Sequence, residues 1–183
     1  MTSSRPAPID DHGVHVCSLL AVHDVLEATG ARFLVTVINE QLMLATPHKL
    51  DTANHLKLTC NDISVPAPGL VAPGPSHVDR MIGFARHWNR QGPLVVHCWA
   101  GISRSTAAAF VTVCALNPDT PEAVIARELR RASPSASPNR LIVELADTAL
   151  GRQGRMVRAI AAIGSGEQMV SEGSPFQLAS RYN

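Results

Sequence analysis

Five residues separate Cys98 from Arg104 in the run His97-Cys98-Trp99-Ala100-Gly101-Ile102-Ser103-Arg104-Ser105. A thiol becomes a nucleophile when it carries negative charge, and a guanidinium is a planar fork that grips two oxygens of an oxyanion at once. For the two to meet, the chain between them must curl back on itself. Its flanks favour that curl. Leu94–His97 reads as a short buried strand and Arg104–Leu116 as an Ala-rich helix stopped by Asn117-Pro118, so Cys98–Ser103 form a tight loop at a helix N-terminus. There the backbone N–H groups surround one centre, Gly101 permits close approach, and the helix end adds partial positive charge. The result is a cradle for a tetrahedral oxyanion that also stabilises a negatively charged sulfur. Ser105 is placed to donate a hydrogen bond to that sulfur and ease its departure from a covalent intermediate. Trp99 either contacts substrate or packs beneath the loop. His97, on the strand, points away from the anion and supports the loop from behind.

The pattern His97-Cys98-x5-Arg104-Ser105 resembles the signature of the protein tyrosine phosphatase superfamily, and Ala100-Gly101-Ile102-Ser103-Arg104-Ser105 is most similar to its dual-specificity branch. With 8 His and 4 Cys in 183 residues, chance yields this pattern in about one such chain in a thousand. The resemblance in order of elements covers roughly residues 14 to 150. It implies an α/β fold with a central, mainly parallel sheet of four to five strands flanked by helices. It also implies hydrolysis through a cysteinyl-phosphate, with phosphate held by Arg104 and the amides of Trp99, Ala100, Gly101, Ile102 and Ser103. No metal or other cofactor is expected, because Arg104 and the oriented amides supply the positive charge.

Such a reaction needs an acid to protonate the leaving oxygen and later a base to activate water. The family places an Asp for this purpose on a loop upstream of the signature. Asp62, in Cys60-Asn61-Asp62-Ile63, follows the preceding strand and opens a Pro-rich loop; Asp79 is the rival, but capping of a helix accounts for its position. Asn39 matches a place where related folds brace the phosphate loop, and serves equally as a turn residue; Asn139 after Pro138 is similar. The expected substrate is phosphotyrosine in a protein, with phosphoserine and phosphothreonine next. Two alternatives stand beside it. One is a phosphoinositide or inositol phosphate, although family members of that kind often carry Lys in the loop and none lies between Cys98 and Arg104. The other is a phosphate-binding module without turnover, against which Cys98, Arg104 and Asp62 together speak. No separate phosphotyrosine-recognition motif and no water-positioning glutamine loop is found.

These residues need a scaffold that alternates strands and helices. Val14–Cys17 reads as a strand, and Leu19, Leu20, Val22, Val25 and Leu26 follow with helical spacing up to a stop at Gly30. Phe33–Ile38 is an unbroken apolar strand and Leu56–Cys60 a shorter one, and the prolines between Asn61 and Pro75 impose a long irregular loop. Ser76 with Asp79 suggests an N-cap for a helix through Val78, Met81, Ile82, Ala85 and Trp88. Thr120-Pro121-Glu122 and Ser137-Pro138 suggest two further helix starts, and Met156–Ile163 a last helix. From Gly164 the chain turns Gly- and Ser-rich, as a loose tail or a strap.

Composition sets the outer bounds. With 45% hydrophobic, 17% charged and 4% aromatic residues, the chain is expected to form one globular domain over residues 1–183, its core spanning about 14–163. A formal charge of +1 gives no global field for nucleic acid, so none is expected as a partner. No membrane span and no leader segment is read, which places the chain in the cytoplasm. Cys17, Cys60 and Cys114 show no paired spacing and are expected as core thiols, with Cys17 or Cys60 the candidates to guard an oxidised Cys98. His12, His15 and Cys17 make a weak metal set without a fourth ligand. Nothing in the sequence sets the oligomeric state.

Overall fold

The computed structural model describes residues 12–167 and 169–182. A five-stranded sheet, ordered β3-β2-β4-β1-β5, forms its centre. The strands β1 (Val14–Cys17), β2 (Phe33–Ile38), β3 (His55–Thr59) and β4 (Leu94–His97) run parallel, while β5 (Phe176–Leu178) lies antiparallel on β1. Six helices flank them: α1 (Val22–Thr29), α2 (Pro75–Trp88), α3 (Arg104–Leu116), α4 (Glu122–Ala132), α5 (Arg140–Ala149) and α6 (Arg155–Ile163). The architecture is the α/β sheet expected from the alternating pattern.

Alternation along the strands divides the interior in two. Val14, Val16, Phe33, Val35, Val37, Leu94 and Val96 join the larger core with α2 to α6, whereas Leu34 and Val95 turn the other way to meet Val22 and Leu26 of α1 and Leu50. Helix α3 crosses under β1, β2 and β4, and every residue from Arg104 to Cys114 is buried. Its run of alanines is what lets so central a helix approach the sheet closely. Arg152 and Arg155 both reach the buried carboxylate of Glu122, tying the α6 end of the domain to α4.

Three helix starts differ from expectation. Helix α2 begins at Pro75 behind Gly74, whose N–H donates to His77 Nδ1 at 3.0 Å, while His77 Nε2 donates to the Thr59 carbonyl. An imidazole thus does the capping that Ser76 and Asp79 were expected to do, and both of those stay exposed. Pro121, not Thr120, occupies the N-cap of α4, and Asn139 caps α5 by accepting from the Ile142 N–H.

The segment after Gly164 is a strap. Glu167 N–H donates to the Pro134 carbonyl, Gly173 N–H to the Ala100 carbonyl, and Phe176–Leu178 then complete the sheet. Chain direction brings the strap to the same edge of the sheet as the ends of β1 to β4.

Candidate active site

Cys98 to Ser103 leave the carboxyl end of β4 and return at the start of α3. What shapes this loop is the fate of its carbonyls. Trp99 C=O accepts from Leu19 N–H (3.0 Å), Ala100 C=O from Gly173 N–H (2.8 Å), Ile102 C=O from Ser137 N–H (2.9 Å) and Ser103 C=O from Asn139 N–H (3.3 Å). A trans peptide points its N–H opposite to its C=O, so four carbonyls fastened on the outside turn the amides of Ala100, Gly101, Ser103 and Arg104 inward. Gly101 has φ +73°, and a Cβ there would stand 2.8 Å from the Cys17 carbonyl carbon and 2.9 Å from Ser18 N. Only glycine fits against β1 at this point.

The Cys98 side chain is buried at the floor of this loop with Ser105 Oγ 3.1 Å from its sulfur. Arg104, also buried, donates from Nη1 to the Cys60 carbonyl at 2.7 Å, and its Nε is buried without a hydrogen-bond partner. One arm of the guanidinium is therefore anchored to the end of β3, which fixes the direction of the fork. Across from it lies Asp62. Its Oδ1 accepts from Ser103 Oγ (2.7 Å) and Asn139 Nδ2 (2.8 Å), and its Oδ2 is 4.0 Å from Arg104 Nε. Two segments far apart in sequence, Ser103–Arg104 and Asn139, hold one carboxylate over the loop. Cys98, Arg104, Asp62, Trp99 and Ser103 share the lining of a cavity of about 530 Å³, with Val170 and Ser171 of the strap at its rim.

Solved structures of the same architecture include phosphatases. Cydia pomonella PTP-2 phosphatase matches with a TM-score of 0.57 at 17% identity, over 76% of this chain and 86% of its own. Human DUSP28 matches at 0.57 and 17% identity over 80% and 98%, and PTPMT1 in complex with PI(5)P at 0.55 and 17% over 83% and 94%. The fold is that of the protein tyrosine phosphatases. At the level of sequence, no family model and no curated protein matches.

Within this phosphatase fold the support behind the loop is a buried chain of hydroxyls and imidazoles. Thr36 Oγ1 lies 2.8 Å from both His97 Nε2 and His55 Nε2, His55 Nδ1 is 2.9 Å from Thr46 Oγ1, and His97 Nδ1 is 3.3 Å from the Cys98 carbonyl. A carbonyl only accepts, so His97 carries its proton on Nδ1 and Nε2 accepts from Thr36. Thr36 has one proton to give, hence His55 Nε2 donates to it, and His55 Nδ1 accepts from Thr46. The whole chain runs in one direction. Burial pushes both histidines down to about 4, which keeps them neutral and keeps that direction intact. Thr36 and His55 were not among the residues singled out from sequence. The available signal was a lone hydroxyl inside the apolar run Phe33–Ile38, opposite a histidine that opens the next strand.

The remaining candidates separate clearly. Trp99 is half-exposed at the rim rather than packed beneath the loop. Asp79 lies outside the cavity, on the exposed side of α2. Asn39 lines the cavity, and its Oδ1 is buried without a hydrogen-bond partner. Asn139 unites both roles proposed for such a residue: it caps α5 with Oδ1 and holds Asp62 with Nδ2. Cys17 and Cys60 are buried thiols at the ends of β1 and β3, pushed up by burial to about 12 and about 11. Cys114 is raised in the same way by burial within α3. Cys17 is buried in the smaller core and His15 turns to the face opposite Val14 and Val16; among the described residues no group of three His, Cys, Asp or Glu is arranged to hold a metal.

Proposed function

We propose that this chain is a phosphatase that hydrolyses phosphomonoesters through a cysteinyl-phosphate, with phosphotyrosine in proteins as its lead substrate and phosphoserine and phosphothreonine next. The observation that carries this reading is the convergence of the Cys98 sulfur, the inward amides of the loop, the unpartnered Nε of Arg104 and the carboxylate of Asp62 on one cavity. Cys98 attacks phosphorus in line. The equatorial oxygens are taken by the amides and by Arg104 Nε, whose orientation the Cys60 carbonyl fixes. Asp62 protonates the departing oxygen and then, as carboxylate, draws the proton from the attacking water. Ser105 stabilises the sulfur as it leaves. No metal enters these steps, because the donors already present neutralise the developing charge.

Among the described residues Arg104 is the one cation lining the cavity, which suits a single phosphate better than a polyphosphorylated inositol. Phosphate release from matched phosphotyrosine and phosphothreonine peptides and an inositol phosphate, by wild type and Cys98→Ser in the absence of metal, tests the proposal. Cys98-dependent release with phosphotyrosine first is the expected outcome. Tight phosphopeptide binding without release from any substrate would make the loop a recognition site.

A further inference from the structure

Leu20, Leu42, Val65, Leu70, Val71, Trp99 and Met169 are the large hydrophobic side chains that stand exposed among the described residues. Their places in the fold are not scattered. Leu20 follows β1, Leu42 follows β2, Val65 to Val71 follow β3, Trp99 follows β4, and Met169 belongs to the strap that crosses the same edge. Leu42 and Trp99 line the cavity, Leu20 meets Trp99 in the adjoining hollow, Val71 is bonded to Asn61 beside Asp62, and Met169 adjoins Val170 at the rim. These side chains thus gather as a crown at the carboxyl edge of the sheet, and no other large hydrophobic side chain of the described residues stands exposed. Met169 is 98% exposed, Leu20 77% and Val65 72%, so they serve no packing within this chain. Soluble surfaces rarely gather such side chains without a partner.

Two features of the crown identify that partner. It draws on five separate segments, with Leu20 following β1, Leu42 following β2, the Val65–Val71 loop following β3, Trp99 following β4 and Met169 on the strap. An extended peptide crosses a pocket along one line and brings backbone amides that need partners, which apolar tips cannot offer. A plane of hydrocarbon meets all flanks at once and asks for no hydrogen bonds. Charge points the same way. Among the described residues the cavity is lined by one cation, Arg104, itself buried, and the chain carries a net charge of +1, so the described part of this edge shows no match to a strongly anionic surface.

We propose that the crown seats this edge on a lipid bilayer of low surface charge, so that the phosphomonoester reaching Cys98 is one displayed at a membrane surface. The docking itself does not depend on turnover; only the word substrate rests on the phosphatase reading. Trp99, amphipathic and beside the cavity, sits at headgroup depth, while Leu20, Val65 and Met169 enter the acyl boundary.

Sedimentation with phosphatidylcholine vesicles tests this directly. Wild type is expected to pellet with them, with little gain from added phosphatidylserine and little loss at high salt. The double variant Val65→Asp with Met169→Asp is expected to bind at least about tenfold more weakly, while its hydrolysis of a small soluble aryl phosphate matches wild type and shows the fold intact. Cys98→Ser is expected to bind vesicles fully. Vesicle binding without any aryl phosphate hydrolysis would overturn the phosphatase reading and leave the docking surface standing. Five results would overturn the docking proposal. These are absence of binding to neutral vesicles, salt-sensitive binding only to phosphatidylserine vesicles, and equal binding by the double variant. The fourth is a concentration-dependent dimer abolished by that variant, which would make the crown a self-interface. A preference for apolar-flanked phosphotyrosine peptides without vesicle binding would assign it to peptide instead, with the same consequence.

Discussion

Asp62 illustrates how much of a residue's role lies in what holds it. Ser103 and Asn139 both donate to Oδ1, which leaves Oδ2 as the oxygen able to carry a proton toward a leaving group. Asp62→Asn keeps the shape and removes that proton. Turnover is expected to fall by about 10² to 10³ for alkyl and phenyl esters with poor leaving groups, and by far less for p-nitrophenyl phosphate, which departs unaided. Equal loss on both would show that Asp62 positions Arg104 rather than acting as the acid. Asn139→Ala is expected to reproduce part of the same pattern, since it frees the carboxylate. The thiols diverge in the same physical terms. Cys17 and Cys60 are held up by burial to about 12 and about 11, so iodoacetamide at neutral pH is expected to modify Cys98 and spare both, with inorganic phosphate protecting Cys98. Mass mapping that found Cys17 or Cys60 labelled first would refute this ordering.

The phosphate loop is an element whose form depends on parts of the chain remote from it. Gly101→Ala places a methyl group against the β1 backbone at a positive φ, and because neither neighbour is a flexible side chain, the loop must yield. Loss of at least about 100-fold in kcat/KM is expected, with phosphate affinity falling in parallel. Near-normal kcat/KM in this variant would mean that the inward amides are not what holds the anion. Sequence was a good guide to this loop, because Cys98, Arg104 and Ser105 sit on a strand–helix junction that apolar runs make plain. Asp62 was legible as the carboxylate opening the Pro-rich loop. The fasteners were not. Leu19, Ser137, Asn139 and Gly173 act through backbone N–H groups, which leave no trace in residue type. The segment after Gly164 stayed open between a loose tail and a strap for a related reason: Phe176–Leu178 is too short for a periodic pattern, and its pairing with β1 is decided by packing alone. His77 replaced the expected Ser76 cap because its ring can bridge Gly74 and Thr59 at once.

Over the whole molecule, the His55–Thr36–His97 chain links the site to stability. Thr36→Val keeps volume but strands an imidazole acceptor and an imidazole donor in the core; a loss on the order of 2–4 kcal/mol is expected in urea unfolding, with Thr36→Ser recovering most of it. The same chain sets a pH dependence whose sign follows from burial. Both histidines are held near 4 in the folded state against an ordinary 6.5, so between those values the unfolded chain binds more protons. Stability is then full above about pH 6.5 and is lost as pH falls toward 4, by up to about 3 kcal/mol for the fully buried His97. A proton added to His97 Nε2 turns an acceptor into a donor facing the Thr36 hydroxyl and so opposes the direction of the chain, while Nδ1 goes on donating to the Cys98 carbonyl. His55→Gln keeps an N–H for Thr36 without a titrating ring. Its urea midpoint is expected to fall less than that of wild type between pH 7 and pH 4.5, since carboxylates elsewhere contribute equally to both. Parallel curves for the two proteins would show that His55 does not govern the acid limb.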